Sequence, residues 1–381
     1  MRILLVGEYS RLHNSLKEGL QKMGHTVVIV GTGDVFKNFP VDVNIQSVFF
    51  NTGICRFVKR VLYLFLKIDL RGIEQGIRFY RGVRKLDNFD VVQLINEEPI
   101  KSTPKFEILL LKFLLKKTKK LYLLSCGTDY VSVSFANDKK LRYSLLTPLF
   151  KGHDPDSSSY KFVFKYISKP YKRLHEFLYE RINGVIATDM DYHLPLIGNS
   201  KYLGLIPNPI NIDKIEYLPI DITDKIKIFH GVNSGNYYKK GNYIFEEALQ
   251  IILKKYSDKI EVVSTTDLPY DVYINEYNNC HILLDQVYGY DQGYNALEAM
   301  AKGKVVFTGA ESEFLEYYGL NKNEVCINAL PDAKSIAAEL EALILHPNQL
   351  LEISKNARVF IEKEHSYLSI AKKYHAKWLE N

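Results

Sequence analysis

Glu298 has the most suggestive surroundings of any carboxylate in this chain. The run from Gly289 through Tyr290, Asp291, Gln292, Gly293, Tyr294 and Asn295 to Glu298, and on to Gly303, reads as a glycine-containing loop, a helix and a stop. Val305, Val306 and Phe307 follow as a short buried strand. The first backbone N–H groups of a helix have no partner inside it and point outward, so such a start is a ready site for phosphate. A carboxylate within the helix can accept hydrogen bonds from sugar hydroxyls. Together these groups suit a ligand that carries both, such as a nucleotide sugar. An ordinary loop–helix–strand unit with a solvated Glu298 fits the same short motif equally well.

Other residues could join that chemistry. Lys240, beside Gly241, is a compact point charge suited to a diphosphate. Gly7 and the backbone of 289–294 could offer N–H groups to the same anion. Stabilising the charge that builds on a departing diphosphate would lower the barrier directly. A solvated lysine at a helix start is the plain alternative for Lys240. Glu97 and Glu98 follow a strand at 90–94, where an open α/β sheet places ligand contacts; a solvated pair in a loop fits as well. Asp189 and Asp191 have DxD spacing after a strand, which reads as helix capping. His25, His153 and His230 show no helical pairing, and no catalytic metal is expected. Cys126 reads as an inert buried thiol.

The elements that would position these residues alternate. Strands are expected at 3–6, 27–30, 89–94, 121–124, 184–188 and 203–206, with helices through 22, over 104–117 and over 171–181. Residues 130–165 have no clear period and read as a loop-rich insertion on the acceptor side. A second series has strands at 227–230, 260–263, 282–284 and 305–307, with helices to 255 and over 270–277. Three helices close the chain, at 332–345, 348–362 and 366–380. Strand–helix alternation in both halves implies two doubly wound α/β domains with right-handed parallel crossovers. The chain of 381 residues suits two domains.

Charge is unevenly placed. Residues 1–200 hold 31 Lys and Arg against 19 Asp and Glu, a net of +12; residues 201–381 hold 19 against 25, a net of −6. Basic residues at 55–86 and at 116–120 alternate with apolar ones, which fits an anionic membrane surface better than nucleic acid. A core helix with a solvated basic face fits too. The lysines at 116–120 close a helix in this reading. Four cysteines without CxxC spacing suggest no disulfide framework and a reducing compartment. The first residues read as a strand rather than a signal peptide, and no apolar run is long enough to span a bilayer. The expected location is cytoplasmic, peripheral on the inner face of the membrane if the basic face binds lipid.

The order of these motifs resembles one family along the whole chain. Gly293, Leu297, Glu298, Ala299, Met300 and Gly303 look like the donor motif of the retaining GT-B glycosyltransferases, the large group 1 family (family 4-like). Gly24-His25, Pro207-Asn208, Lys240-Gly241 and Asp267-Leu268-Pro269 match further family positions in the right order. Three positions depart from the pattern. Tyr290 stands at the family's first Glu, Cys126 at a His, and no Arg accompanies Lys240 near Asn233. The resemblance implies two Rossmann-like domains facing across a cleft, an acceptor-side domain at 1–205 and a nucleotide-sugar domain at 206–364. Residues 365–381 would form a helix crossing back to the first domain. It implies Glu298, Lys240 and Asp129 as catalytic, and a donor site of Gly7, Asn233, Lys240, Leu268, Tyr290, Asp291, Gln292, Gly293, Tyr294, Asn295 and Glu298. Glu97, Glu98, Thr128 and Asp129 would meet the acceptor. The activity implied is transfer of a sugar from a nucleotide-diphosphate sugar, as co-substrate and with no cofactor, to a saccharide or lipid-linked saccharide, as in surface polysaccharide biosynthesis. A nucleotide-sugar 2-epimerase and a non-catalytic nucleotide-sugar binder are the competing readings.

Overall fold

The computed structural model describes residues 1–34, 39–52 and 69–381. The part of the basic stretch that falls at 55–68, with Cys55, lies outside them. The chain forms two compact units. The first holds Met1–Ser134, Phe162–Pro209 and Tyr367–Asn381; the second holds Phe135–Lys161 and Ile210–Ser366.

The first unit is built on seven strands: β1 (Arg2–Val6), β2 (Thr26–Gly31), β3 (Val43–Asn44), β4 (Phe89–Leu94), β5 (Thr118–Ser125), β6 (Gly184–Ala187) and β7 (Tyr202–Leu205). Their order is β3-β2-β1-β4-β5-β6-β7, and every pairing is parallel. Ile3, Leu4, Leu5 and Val6 are wholly buried, as expected of a central strand covered on both faces. Leu4 lies opposite Val28 on one side and Val92 on the other. Leu12, Leu16 and Leu20 make one buried stripe of the helix Leu12–Lys22. Gly19 on that helix admits the last helix, Tyr367–Glu380: a Cβ there would stand 2.5 Å from the Tyr367 carbonyl oxygen. Trp378 on the last helix is fully buried and donates its indole N–H to Gln93 Oε1 at 3.2 Å.

The second unit carries β8 (Ile226–Val232), β9 (Ile260–Thr266), β10 (Ile282–Leu284), β11 (Val305–Thr308) and β12 (Ile327–Asn328). The order is β12-β11-β10-β8-β9, again all parallel. Each sheet reverses its direction of growth once, between β1 and β4 in the first unit and between β8 and β10 in the second. Ligands of open α/β sheets bind outside the carboxyl ends of strands at such points.

Three expectations change. Residues 130–165 are not mainly loop: they include the helices Tyr130–Asn137, Thr147–Phe150 and Lys161–Phe164. Their short length and the absence of a long apolar period hid them. Residues 135–161 belong to the second unit, not to the acceptor-side domain drawn at 1–205. The lysines at 116–120 do not close a helix as a block. The helix ends at Leu115, and Thr118, Lys119 and Lys120 begin β5.

Candidate functional site

The carboxyl ends of β8, β9 and β10 gather most of the expected donor residues within the second unit. Asn233 is exposed just past β8 and starts a single turn, Ser234–Asn236. Leu268 is half-buried in the loop after β9, where Asp267 donates its N–H to the Val232 carbonyl at 2.9 Å. Lys240 ends the short helix Tyr237–Lys240. Gly241 follows at φ 75, and a Cβ there would lie 2.7 Å from Val287 Cβ, so glycine is required on both counts. The Lys240 ammonium donates to Asp285 Oδ1 at 3.0 Å, and Asn295 Nδ2 donates to the same oxygen at 3.0 Å. Gly293 is the N-cap of the helix Tyr294–Ala301 and has no side chain to cap it. Glu298 lies one turn beyond Asn295 and acts electrostatically on the Tyr273 and Tyr277 hydroxyls and on Lys302. Tyr273 donates to Asn295 Oδ1 at 3.2 Å, and Tyr277 donates to the Asn295 carbonyl at 2.7 Å.

The loop before that helix is packed shut in this structure. Tyr290 is 1% exposed. Its hydroxyl accepts the Arg142 backbone N–H at 2.8 Å, and the Arg142 guanidinium lies 4.8 Å from its ring centre. Gln292 is buried and donates to the Gly309 carbonyl at 2.8 Å; Asp291 is buried beside it. Gly309 makes this possible, because a Cβ there would meet the Gly289 and Asp291 carbonyl oxygens at 2.4 and 2.6 Å. Glu311, just past β11, accepts from Arg142 at 2.7 Å, from Asn328 at 2.7 Å and from the Tyr143 hydroxyl. Tyr290 thus helps hold 135–161 on its own unit, and its side chain offers no open surface to a sugar.

In the first unit, four expected residues stand at the ends of β4 and β5. Glu97 is 1% exposed. It faces His175 Nδ1 at 2.6 Å and accepts the Tyr130 N–H at 3.0 Å. Burial raises the pKa of Glu97. The His175 ring is held between Tyr130 and Tyr179, with ring centres 4.4 and 4.1 Å away. Glu98 is buried against Lys165 and accepts from Tyr171 at 2.7 Å. The two glutamates are therefore not a solvated loop pair. Asp129 is buried too; it accepts from the Ser132 N–H at 2.7 Å and from the Ser125 hydroxyl, which makes it a cap for the helix Tyr130–Asn137. Thr128, half-buried, precedes it. Gly7 does not offer its N–H to an anion, since that group donates to the Val30 carbonyl at 2.8 Å. Its need is steric: φ is 90, and a Cβ would stand 2.2 Å from Ile95 Cγ2. Asp189 occupies an N-cap position, but its side chain takes a 3.4 Å bond from the Thr188 hydroxyl rather than capping the helix.

Residues 234–376 match the model of a family described as glycosyl transferase-like. Solved structures resemble the whole chain. HepE from Anabaena in complex with UDP-glucose is 12% identical, with a TM-score of 0.61 and all of both chains covered. Sucrose-phosphate synthase from Thermosynechococcus elongatus is 13% identical, with a TM-score of 0.61 over 100% of this chain and 98% of that one. A candidate UDP-N-acetylglucosamine 2-epimerase from Listeria monocytogenes is 12% identical, with a TM-score of 0.53 over 98% and 94%. No curated protein matches the sequence. The chain has the GT-B fold, with two Rossmann-like units.

Within that fold, several groups escaped the sequence reading. Asp285 directly follows β10 and Glu311 lies three residues past β11, at the carboxyl ends of strands where such sheets hold ligands, and strand position alone could have flagged both. Arg142 and His175 gave no such signal, because their partners are far away in sequence. His230 is a core residue: it is wholly buried, bonds Asn242 at 3.0 Å, and burial lowers its pKa. The lysines at 117–120 are used internally. Lys119 pairs with Asp90 at 2.7 Å, Lys120 donates to the Trp378 carbonyl at 2.8 Å, and Lys117 donates to the Leu86 carbonyl. An apolar and basic face does remain in the first unit. On the packed helices Leu70–Val83 and Pro104–Leu115, Ile77, Tyr80 and Leu109 are exposed beside Arg81, Arg84, Lys85, Lys105 and Lys112. No helix among the described residues is long and apolar enough to cross a membrane.

Proposed function

We propose that this protein is a retaining glycosyltransferase that moves a sugar from a nucleotide-diphosphate sugar, UDP-linked in the first instance, to a saccharide or lipid-linked saccharide. The observation that carries the proposal is the convergence of Lys240 and Asn295 on Asp285 at the β8/β10 switch point, at the start of the helix Tyr294–Ala301 that carries Glu298. It lies in the stretch that matches a glycosyl transferase-like family, and HepE, of similar fold, was solved with UDP-glucose. In this reading Lys240 and the first-turn amides hold the diphosphate, and Leu268 lies against the base. Glu298 accepts from sugar or ribose hydroxyls. As the anomeric C–O bond breaks, its electron pair passes to the diphosphate, whose charge Lys240 stabilises; the acceptor hydroxyl oxygen bonds the anomeric carbon, and its proton passes to the departing diphosphate. The donor sugar is the co-substrate, and no cofactor or metal is invoked. The acceptor falls to the first unit, near Glu97, Glu98, Thr128 and Asp129. The face carrying Ile77, Tyr80 and Arg81 meets anionic lipid on the cytoplasmic side, as surface-polysaccharide assembly on a lipid carrier requires.

Glu298→Ala tests the site. Calorimetry should show UDP-glucose affinity falling at least tenfold, about 1.4 kcal/mol, while the thermal midpoint stays within a few degrees. Unchanged affinity removes Glu298 from the donor site.

One observation favours a second reading, an isomerase acting on the nucleotide sugar itself. The Glu97–His175 pair is an acid/base unit of the kind proton transfer needs. Incubation of UDP-N-acetylglucosamine with the protein, followed by proton NMR, separates the two. A new C2 epimer without an acceptor supports the isomerase, and an unchanged sugar excludes it for that substrate.

A further inference from the structure

Asp285 is the most deeply placed charged group at the β8/β10 switch point. Its side chain is 1% exposed, and a carboxylate is held in such a place only if it is paired. Oδ1 takes both the Lys240 ammonium and Asn295 Nδ2, each at 3.0 Å, while Oδ2 is sealed from solvent with no partner. One oxygen therefore ties together two elements: the short helix after β8 that ends in Lys240, and the first turn of the helix after β10 that carries Asn295. The main chain adds a second tie, since Val287 donates its N–H to the Lys240 carbonyl at 2.8 Å. Tyr273 and Tyr277 fix Asn295 from the other side. Gly231 leaves room for Tyr273, whose Cε2 would lie 2.5 Å from a Cβ there.

Lysine is a flexible point charge, and a free one loses much rotamer freedom when it binds an anion. A lysine already held by a buried carboxylate has lost that freedom beforehand. Half-satisfied buried carboxylates are uncommon and call for a reason. We propose that Asp285, itself held by Asn295, is a positioning residue that fixes Lys240 for the diphosphate of the donor. This rests on the donor reading above. Asp285 itself touches no phosphate, since like charges repel; it acts through Lys240.

The test is calorimetric titration of the full chain with UDP and UMP, with the ADP/AMP, GDP/GMP and CDP/CMP pairs in parallel. The proteins are the wild type, Asp285→Asn, Lys240→Ala, Asn295→Ala and the double variants. If Asp285 acts through Lys240, Asp285→Asn and Lys240→Ala each lower diphosphate affinity tenfold or more and change monophosphate affinity less than threefold. Asp285→Asn then adds nothing in the Lys240→Ala background, because coupled groups are not additive. A merely structural role for Asp285 would lower both affinities together. Asn295→Ala, which leaves the ion pair in place, should cost less than Asp285→Asn and nothing without Lys240. It keeps the question open to test if Asp285→Asn does not fold. Diphosphate binding that is insensitive to these variants, or fully additive effects, overturns the positioning role alone. A wild-type protein that binds none of the four diphosphates overturns the donor reading itself.

Discussion

Glu8, at the carboxyl end of β1, shows what burial does to one residue. Its Oε2 accepts from the Asn14 backbone N–H at 2.8 Å and from Asn14 Nδ2 at 2.6 Å, and its Oε1 is sealed without a partner. Burial raises its pKa to about 7, against the pull of the Asn14 bonds. The folded state therefore holds a proton that the unfolded chain releases near 4.5. Stability from this group is complete below about 4.5, falls as the pH rises, and is lost by about 7. The loss is on the order of 3 kcal/mol. Glu8→Gln should flatten this part of the profile, read as the difference in urea midpoints between wild type and variant from pH 4.5 to 8. Parallel profiles would show that Glu8 is ionised in the fold. None of this was legible in the sequence, because a lone glutamate after a strand gives no sign of its burial. Lys240 and Glu298 were singled out from their neighbours in sequence. Asp285, which holds Lys240, went unnoticed because it lies 45 residues away.

Among elements, the segment 135–161 departs furthest from its reading. It has little helical period of its own, and its place is set by contacts distant in sequence. Glu311 takes Arg142, Tyr143 and Asn328 at once, and Glu313 takes two further Arg142 bonds at 2.7 and 2.6 Å. Glu311→Ala leaves the buried Tyr143 hydroxyl without that acceptor, at a cost of about 1–3 kcal/mol. It should loosen this segment before the rest of the unit. Trypsin should then cut at the exposed Lys139, Lys140 and Lys151 several-fold faster than in the wild type. An unchanged cleavage rate would mean that Glu311 does not hold the segment. The central strands, by contrast, were plain in the sequence, because runs such as Ile3–Val6 and Ile282–Leu284 are apolar throughout and buried on both faces. Their ends were less plain. β5 begins at Thr118, among lysines whose ammonium groups bond Asp90 and the Leu86 and Trp378 carbonyls.

For the whole molecule, strand–helix alternation made two doubly wound units legible, while the exchange of 135–161 was not, since no local signal says which unit a short helix joins. The excess of positive charge in residues 1–200 belongs to this scale. If the face around Ile77, Tyr80 and Arg81 meets anionic lipid, the protein should pellet with phosphatidylglycerol vesicles and not with phosphatidylcholine vesicles. Reversing Arg81, Arg84 and Lys85 to Glu should abolish that, as should high salt. Pelleting that survives the reversal would place the contact elsewhere. In the proposed function, the second unit receives a nucleotide-diphosphate sugar at the ends of β8 and β10. Calorimetric titration of UDP-glucose, with GDP-, ADP- and CMP-linked sugars beside it, into wild type and Lys240→Ala tests this most directly. One class of donor should bind the wild type and bind Lys240→Ala at least tenfold more weakly. Equal binding to both proteins, or no donor bound by the wild type, would contradict the proposed function.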